Sequence, residues 1–370
     1  MIIRILLNVK FKFEAIRKKK ILIYKDFFGQ KYSEKECNLF NFPKELNIPI
    51  FFKTLLKHGF EVNYLNYLTQ YIKSTDPDVI LTSIDNDINF YKLKKKFKKK
   101  IFIAAQNGFR SDIGNIPSFF TFLKQNKYKK GSLSTDYLFC FSKSVLKQYK
   151  KYINIKNHVI LGSFRNNLYK IKKSIDNSKL ILISQYKADQ DDNFNLVYNY
   201  LINLLIRILS NTKIKLAVIL RENSEEEIRF FKRINNKILI IKKNNLPVYK
   251  VIDRYKYFVN IDGSLGYETL SRGKRVIFLN IRKTVMKKYG HNISYMNDVF
   301  GWPYNKNKKG KFFTDSLNYD EIKKILFFSI YSSKKKWSKS TYRYSKNILP
   351  YSYKNISFYK LFDKIIKNYK

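Results

Sequence analysis

Between Asp262 and Gly273 the chain reads DGSLGYETLSRG, a stretch rich in residues that can hold an anion. Three of the twelve glycines, Gly263, Gly266 and Gly273, fall within it, which marks a backbone that needs close approach or unusual dihedrals. A turn of small residues feeding a helix exposes unpaired backbone N–H groups, and the natural guest of Gly263, Ser264, Leu265 and Gly266 is a diphosphate. Glu268 lies one turn inside that helix. There a carboxylate reaches two vicinal hydroxyls, as acidic residues do for ribose in dinucleotide sites. Taken alone, the stretch fits an ordinary strand-to-helix turn with a glutamate equally well.

A second constellation follows buried runs in the first half. Asp85 and Asn86 come after Pro77-Asp78-Val79-Ile80-Leu81-Thr82, and Gln106, Asn107, Gly108 and Arg110 come after Ile101 to Ala105. A carboxylate at a strand end can deprotonate a hydroxyl, which makes Asp85 the candidate base. The amides on the glycine turn at Gly108 suit sugar hydroxyls, and a plain hydrogen-bonded turn accounts for them equally. Arg221 caps a strand and Arg282 follows another, so both are candidates to face a diphosphate, although each alone is more often a surface arginine. His58, His158 and His291 have no partner in the sequence, and no catalytic triad is visible. Cys37 and Cys140 lack a CxxC or Cys/His companion, so neither a disulfide nor a zinc site is indicated. We expect no metal and no cofactor.

The elements that must position these residues come in two series. Lys20 to Lys25 reads as a strand, Phe51 to His58 as a helix stopped by Gly59, and Phe60 to Val62 as a strand. Strands at Pro77–Thr82, Ile101–Ala105, Tyr137–Phe141 and Val159–Leu161 continue the first series, with a basic helix from Phe90 to Lys99. The second series runs through strands at Lys179–Ser184, Lys215–Leu220, Lys237–Ile241, Tyr257–Ile261 and Arg275–Leu279. Helices are expected at Leu196–Leu209, with Glu225-Glu226-Glu227 in a first turn where carboxylates complement the helix dipole, from Pro247 as a first helical residue, and from Thr269 to Arg272. Strands alternating with helices predict parallel sheets covered on both faces. The polar stretch Ser163 to Ser178 reads as the linker.

Length and composition agree with a two-domain protein: 370 residues, 45% hydrophobic, allow a large core. No apolar run approaches the roughly 18 to 20 residues of a membrane span, and Met1 to Lys10 turns basic too soon for a signal peptide. The protein is therefore expected in the cytoplasm. A formal charge of +46 invites a nucleic-acid reading. However, 61 lysines stand against 13 arginines, and alanine occurs five times, the pattern that AT-rich codons produce. Arginine is the better phosphate fork, so the few arginines carry more information than the many lysines. From Lys334 onward, eleven basic residues face one acid, Asp363, and many tyrosines, which predicts a helical tail suited to an anionic membrane.

Several blocks resemble bacterial surface carbohydrate biosynthesis proteins, a GT-B-like glycosyltransferase family. They are Ile84-Asp85-Asn86 with Phe90-Tyr91, Gln106-Asn107-Gly108-Phe109-Arg110, Gly162-Ser163-Phe164-Arg165-Asn166-Asn167, and Asp262 to Gly273. Glu268 with Gly273 is also similar to the ribose-binding helix of the GT-B enzyme that adds N-acetylglucosamine in peptidoglycan synthesis. The resemblance implies an α/β fold of two Rossmann-like domains facing a cleft: an acceptor side at 1–165, a nucleotide-donor side at 166–333, and the basic tail at 334–370. It implies a nucleotide-sugar donor and a glycan or glycolipid acceptor, while the basic tail is what suggests the inner face of the inner membrane. Asp85-Asn86-Asp87 resembles the metal-holding DxD motif of the GT-A class, but the two-series layout favours GT-B and a loop cap. A same-fold epimerase, a polyol-phosphate transferase and a basic RNA- or membrane-binding protein are the alternatives, with nucleic acid disfavoured because a binding module has no use for the Gly263–Glu268 unit.

Overall fold

A computed structural model describes residues 9–28, 37–112, 117–186, 192–291 and 299–367. Most of the opening segment considered for a signal peptide, residues 1–8, lies outside them. Two six-stranded, all-parallel sheets carry the fold. The first contains β2 (Ile21–Tyr24), β3 (Cys37–Phe40), β5 (Val79–Thr82), β6 (Ile101–Ala105), β7 (Leu133–Cys140) and β8 (Ile153–Ile160), in the order β3-β2-β5-β6-β7-β8. The second contains β9 (Asp176–Ile183), β10 (Lys215–Ile219), β11 (Leu239–Ile241), β12 (Tyr255–Asn260), β13 (Arg275–Leu279) and β14 (Phe313–Thr314), in the order β11-β10-β9-β12-β13-β14. A two-stranded parallel ribbon, β1 (Lys10–Lys12) with β4 (Glu45–Asn47), stands apart from both.

Central strands are uniformly apolar because both faces of each sheet are covered. All residues of β5 and β13 are buried, and only Ile101 of β6 is partly open. Helices start where side-chain oxygens accept from the first turn, as at Asn47, Asn63, Asp87, Ser142, Ser163 and Ser224.

The structure changes four expectations. Phe60 to Val62 is no strand: Gly59 ends the preceding helix at φ +56°, the backbone passes through a 3₁₀ turn at Gly59–Glu61, and Asn63 caps the helix Tyr64–Thr75. The edge strand β3 was missing from the sequence reading, and so was the β1–β4 ribbon. The glycine stretch is helical from Ser264, with Gly263 as an extended N-cap, rather than a turn reaching to Glu268. The basic tail is helical, but it is anchored. Trp337 and Ile348 of the helix Lys334–Ile348 enter the apolar layer against the second sheet, whereas Phe358 and Ile365 of the helix Ile356–Lys367 pack with Phe27, Phe139 and Phe164 of the first half.

Candidate functional site

The second sheet changes winding direction between β9 and β12, and open α/β sheets bind ligands at the carboxyl ends of the strands flanking such a point. A cavity of about 500 Å³ lies there. Its wall is built from Ile183, Ser184 and Gln185 at the end of β9, Ile219, Leu220 and Arg221 at the end of β10, and Gly263, Ser264 and Leu265 after β12. Lys243, just past β11, adds a second cation, and Ser111 and Pro117 come from the first half. The expected residues Arg221, Gly263, Ser264 and Leu265 are thereby brought together.

The cationic side of this cavity has a buried support. Glu227 is fully buried and accepts from the Ser184 hydroxyl at 2.5 Å and from the backbone N–H groups of Arg221, Glu222 and Asn223 at 2.9, 2.8 and 3.0 Å. This one carboxylate fixes the loop that carries Arg221. The Lys243 ammonium donates to the Arg221 carbonyl, which sets a half-buried cation beside an exposed one. In the sequence, Glu227 reads only as a carboxylate suited to a helix N-terminus. Lys243, Ser184 and Gln185 were missed. Their position directly after strands of one parallel sheet was the available signal.

The first turn of the helix Ser264–Ser271 forms the floor. Gly263 passes so close to Gln185 that a Cβ there would lie 2.5 Å from its Nε2 atom. Gly266 meets a different constraint: its Cβ would fall 2.1 Å from Cγ of the buried Asn260, so this glycine serves helix-on-strand packing rather than ligand approach. Glu268 is buried and does not line the cavity; it accepts from the Ser163 hydroxyl and from Tyr249 OH at 3.0 Å. Burial raises its carboxyl pKa, against the opposing pull of those two hydroxyls and of Arg165 and Arg272. Arg282 is not a cavity residue either. It is fully buried and clasps Asp262 at 2.6 and 3.2 Å, with Gln185 3.4 Å away.

Across the cleft, the first-half candidates form a frame. Asp85 is completely buried; Arg110 Nε reaches it at 2.8 Å, the other Arg110 nitrogen and Tyr149 OH also donate to it, and so does the Asn107 N–H at 3.0 Å. A carboxylate so occupied cannot meet an acceptor hydroxyl, and the expectation of Asp85 as base is corrected. Gln106 is turned inward, bonding the Gly108 carbonyl and the Phe141 N–H at 2.8 Å each, and the Asn107 side chain accepts from Arg110 at 2.7 Å. Together these bonds shape residues 106–110, while Asn86 alone of the expected acceptor set is exposed. Asp87 binds Tyr24 and Lys25 at 2.6 Å each and caps the helix Ile88–Lys96, so the Asp85-Asn86-Asp87 triple is a loop cap.

The first sheet has its own change of winding between β2 and β5. Just beyond these strand ends, the Ser83 hydroxyl donates to Asp26 at 2.8 Å, and Arg165 stands 4.0 Å from the same carboxylate. The Asp26 side chain keeps 35% exposure, where Asp85 has none.

Two Rossmann-like sheets facing a cleft, with the tail returning to the first, define a GT-B fold. Residues 103–366 match the family described as "putative O-antigen biosynthesis protein", and the chain belongs to that family. No curated protein matches the sequence. Among solved structures, the wall teichoic acid polymerase TagF is similar at 12% identity and a TM-score of 0.50, over 94% of this chain and 89% of that one. The UDP-GlcNAc 2-epimerase of Methanocaldococcus jannaschii, in complex with UDP-GlcNAc and UDP, aligns at 12% identity and 0.49 over 94% and 100%. MnaA of S. aureus, in complex with UDP, aligns at 13% and 0.48 over 90% and 92%. At these identities the likeness concerns the fold.

Proposed function

We propose that this protein is a glycosyltransferase of surface polysaccharide synthesis that binds a nucleotide-activated sugar in the cavity of its second half. The observation that carries this reading is the meeting of Arg221, Lys243 and the first turn of the helix Ser264–Ser271 around one cavity at the sheet's switch point. Two cations and a helix N-terminus stabilise a diphosphate in the bound donor and still more as it becomes the leaving group. Glu268, buried on Ser163 and Tyr249 outside the cavity, supports the helix that carries the phosphate site rather than holding the ribose. The acceptor enters from the other sheet, where Arg165 flanks Asp26 and Asn86 is exposed, and Asp26 replaces Asp85 as the base. Membership in the O-antigen family supports the choice of a sugar transfer over other reactions of this fold.

Calorimetric titration with a panel of nucleoside diphosphates and nucleotide sugars tests the donor half. Wild type is expected to bind one base preferentially, and Arg221→Ala/Lys243→Ala to bind it at least about tenfold more weakly, the scale of lost charge-assisted hydrogen bonds. Unchanged affinity in the double variant would remove this cavity from the reading.

A further inference from the structure

The helix Ile48–His58, IPIFFKTLLKH, is apolar on two sides. Ile50 and Thr54 are buried in the core of the first half, while Phe52 and Leu56, four residues apart on the outer side, are 55% and 87% exposed. Helical neighbours at that spacing form one patch. The β1–β4 ribbon leads directly into this helix, and Asn47, its cap, also bonds the Glu14 carbonyl at 2.9 Å. Phe11 and Phe13, 41% and 73% exposed, therefore sit beside its start. Four large apolar side chains left in water on neighbouring elements exceed the scattered exposure that any surface shows.

The cations around this patch are as regular as the apolar groups. Lys53 and Lys57 each follow one of the exposed apolar residues, and Lys10 and Lys12 flank Phe11; all four lysines are exposed. Lys57 also crowds Lys73 of the next helix, whose pKa is lowered by contact with Lys57 and, more weakly, by Lys96. The acids nearby are Glu14, Glu61 and Glu45, the last paired with Lys12 at 2.7 Å. Crowded ammonium groups around exposed phenyl and leucyl side chains fit a surface that offers phosphates above and hydrocarbon beneath.

We propose that the face made by β1 and the helix Ile48–His58 docks on an anionic lipid bilayer, with Phe52 and Leu56 entering the acyl boundary and Lys53 and Lys57 meeting lipid phosphates. The apolar patch favours this face over the basic tail, because the helix Lys334–Ile348 buries Trp337 and Ile348 and offers water chiefly lysines, Arg343 and Tyr342. The proposal rests on the surface alone and stands or falls apart from the glycosyltransferase reading.

Flotation of the full chain with vesicles of phosphatidylcholine, with and without phosphatidylglycerol, tests it. Wild type is expected to float with the anionic vesicles and to bind at least about tenfold less to the zwitterionic ones. Phe52→Ser/Leu56→Ser, a change confined to exposed side chains, is expected to lower anionic binding about tenfold or more, and Lys53→Gln/Lys57→Gln to lower it less. Lys335→Gln/Lys336→Gln/Lys339→Gln in the tail is expected to bind like wild type. Full binding by Phe52→Ser/Leu56→Ser, or loss only in the tail variant, overturns the proposal. So does capture of RNA by the wild type in the absence of any vesicle binding.

Discussion

The peptide N–H of Phe109 donates to the Ser264 hydroxyl at 3.0 Å, so the floor of the cavity is tied to the loop at residues 106–110 of the opposite half. The Phe109 ring lies flat on Tyr267, with centroids 4.2 Å apart, one turn further along the same helix. Ser264 is thus shared between the cleft contact and the proposed phosphate site. Ser264→Ala is expected to cost about 0.5–1.5 kcal/mol of stability, the net worth of one hydrogen bond, and to weaken nucleotide binding as well. Urea unfolding and calorimetry on the same variant separate the two effects. A variant with full nucleotide affinity and lowered stability would confine Ser264 to the cleft contact.

Asp85 and Arg110 hold the loop that carries Phe109; Asp85 is shut away from water, and Arg110 nearly so. Breaking a buried ion pair leaves an uncompensated charge, which costs about 3–5 kcal/mol. Asp85→Asn is therefore expected to lower the denaturant midpoint strongly, whereas Asp26→Asn, at a partly exposed carboxylate that keeps an acceptor for Ser83, changes it far less. With donor and acceptor supplied, turnover by Asp26→Asn should fall by a factor on the order of 10² to 10⁴ if Asp26 is the base. Full turnover by that variant would return the search for the base to other residues.

Much of the second sheet was legible because its strands are apolar runs of four to eight residues punctuated by polar turns. Leu180 to Ile183, Leu216 to Ile219 and Val276 to Leu279 are all buried. The edge strand β3 was not, since CNLF is short and its Leu39 is 43% exposed. The charged residues divide more sharply. Arg221 and Arg282 look alike in sequence, each following a strand, but Arg282 finds Asp262 twenty residues away and is buried on it, whereas Arg221 stays in the cavity. Asp85 finds Arg110 at a separation of twenty-five. Such pairings depend on which strand ends become neighbours, a property of sheet order that local spacing does not contain.

Gly266 offers a test of packing against ligand approach. Gly266→Ala places a methyl group against Asn260 and is expected to destabilise the protein by about 1–3 kcal/mol through overpacking. Nucleotide affinity of the folded fraction should change little. If the alanine variant were as stable as wild type but lost nucleotide binding, the glycine would belong to the ligand site after all.

Glu268 predicts a dependence on pH. Burial raises its carboxyl above the ordinary value of 4.5, and the hydroxyls of Ser163 and Tyr249 offset this only in part. An acid with a raised pKa in the folded state holds its proton more tightly there than in the unfolded chain. Its contribution to stability is thus greatest at low pH, and declines as pH rises from the unfolded value through the folded one. Glu268→Gln keeps an acceptor for Ser163 and Tyr249 but cannot ionise. The unfolding free energy of wild type minus that of Glu268→Gln should therefore fall as pH is raised from about 4 to about 8, and level off once the folded carboxyl has ionised. Urea titrations of both proteins across that range measure the difference directly, with other titrating groups cancelling in the subtraction. A difference that stays flat, or that grows with pH, would show that its hydrogen bonds and the nearby arginines outweigh the burial of the Glu268 charge.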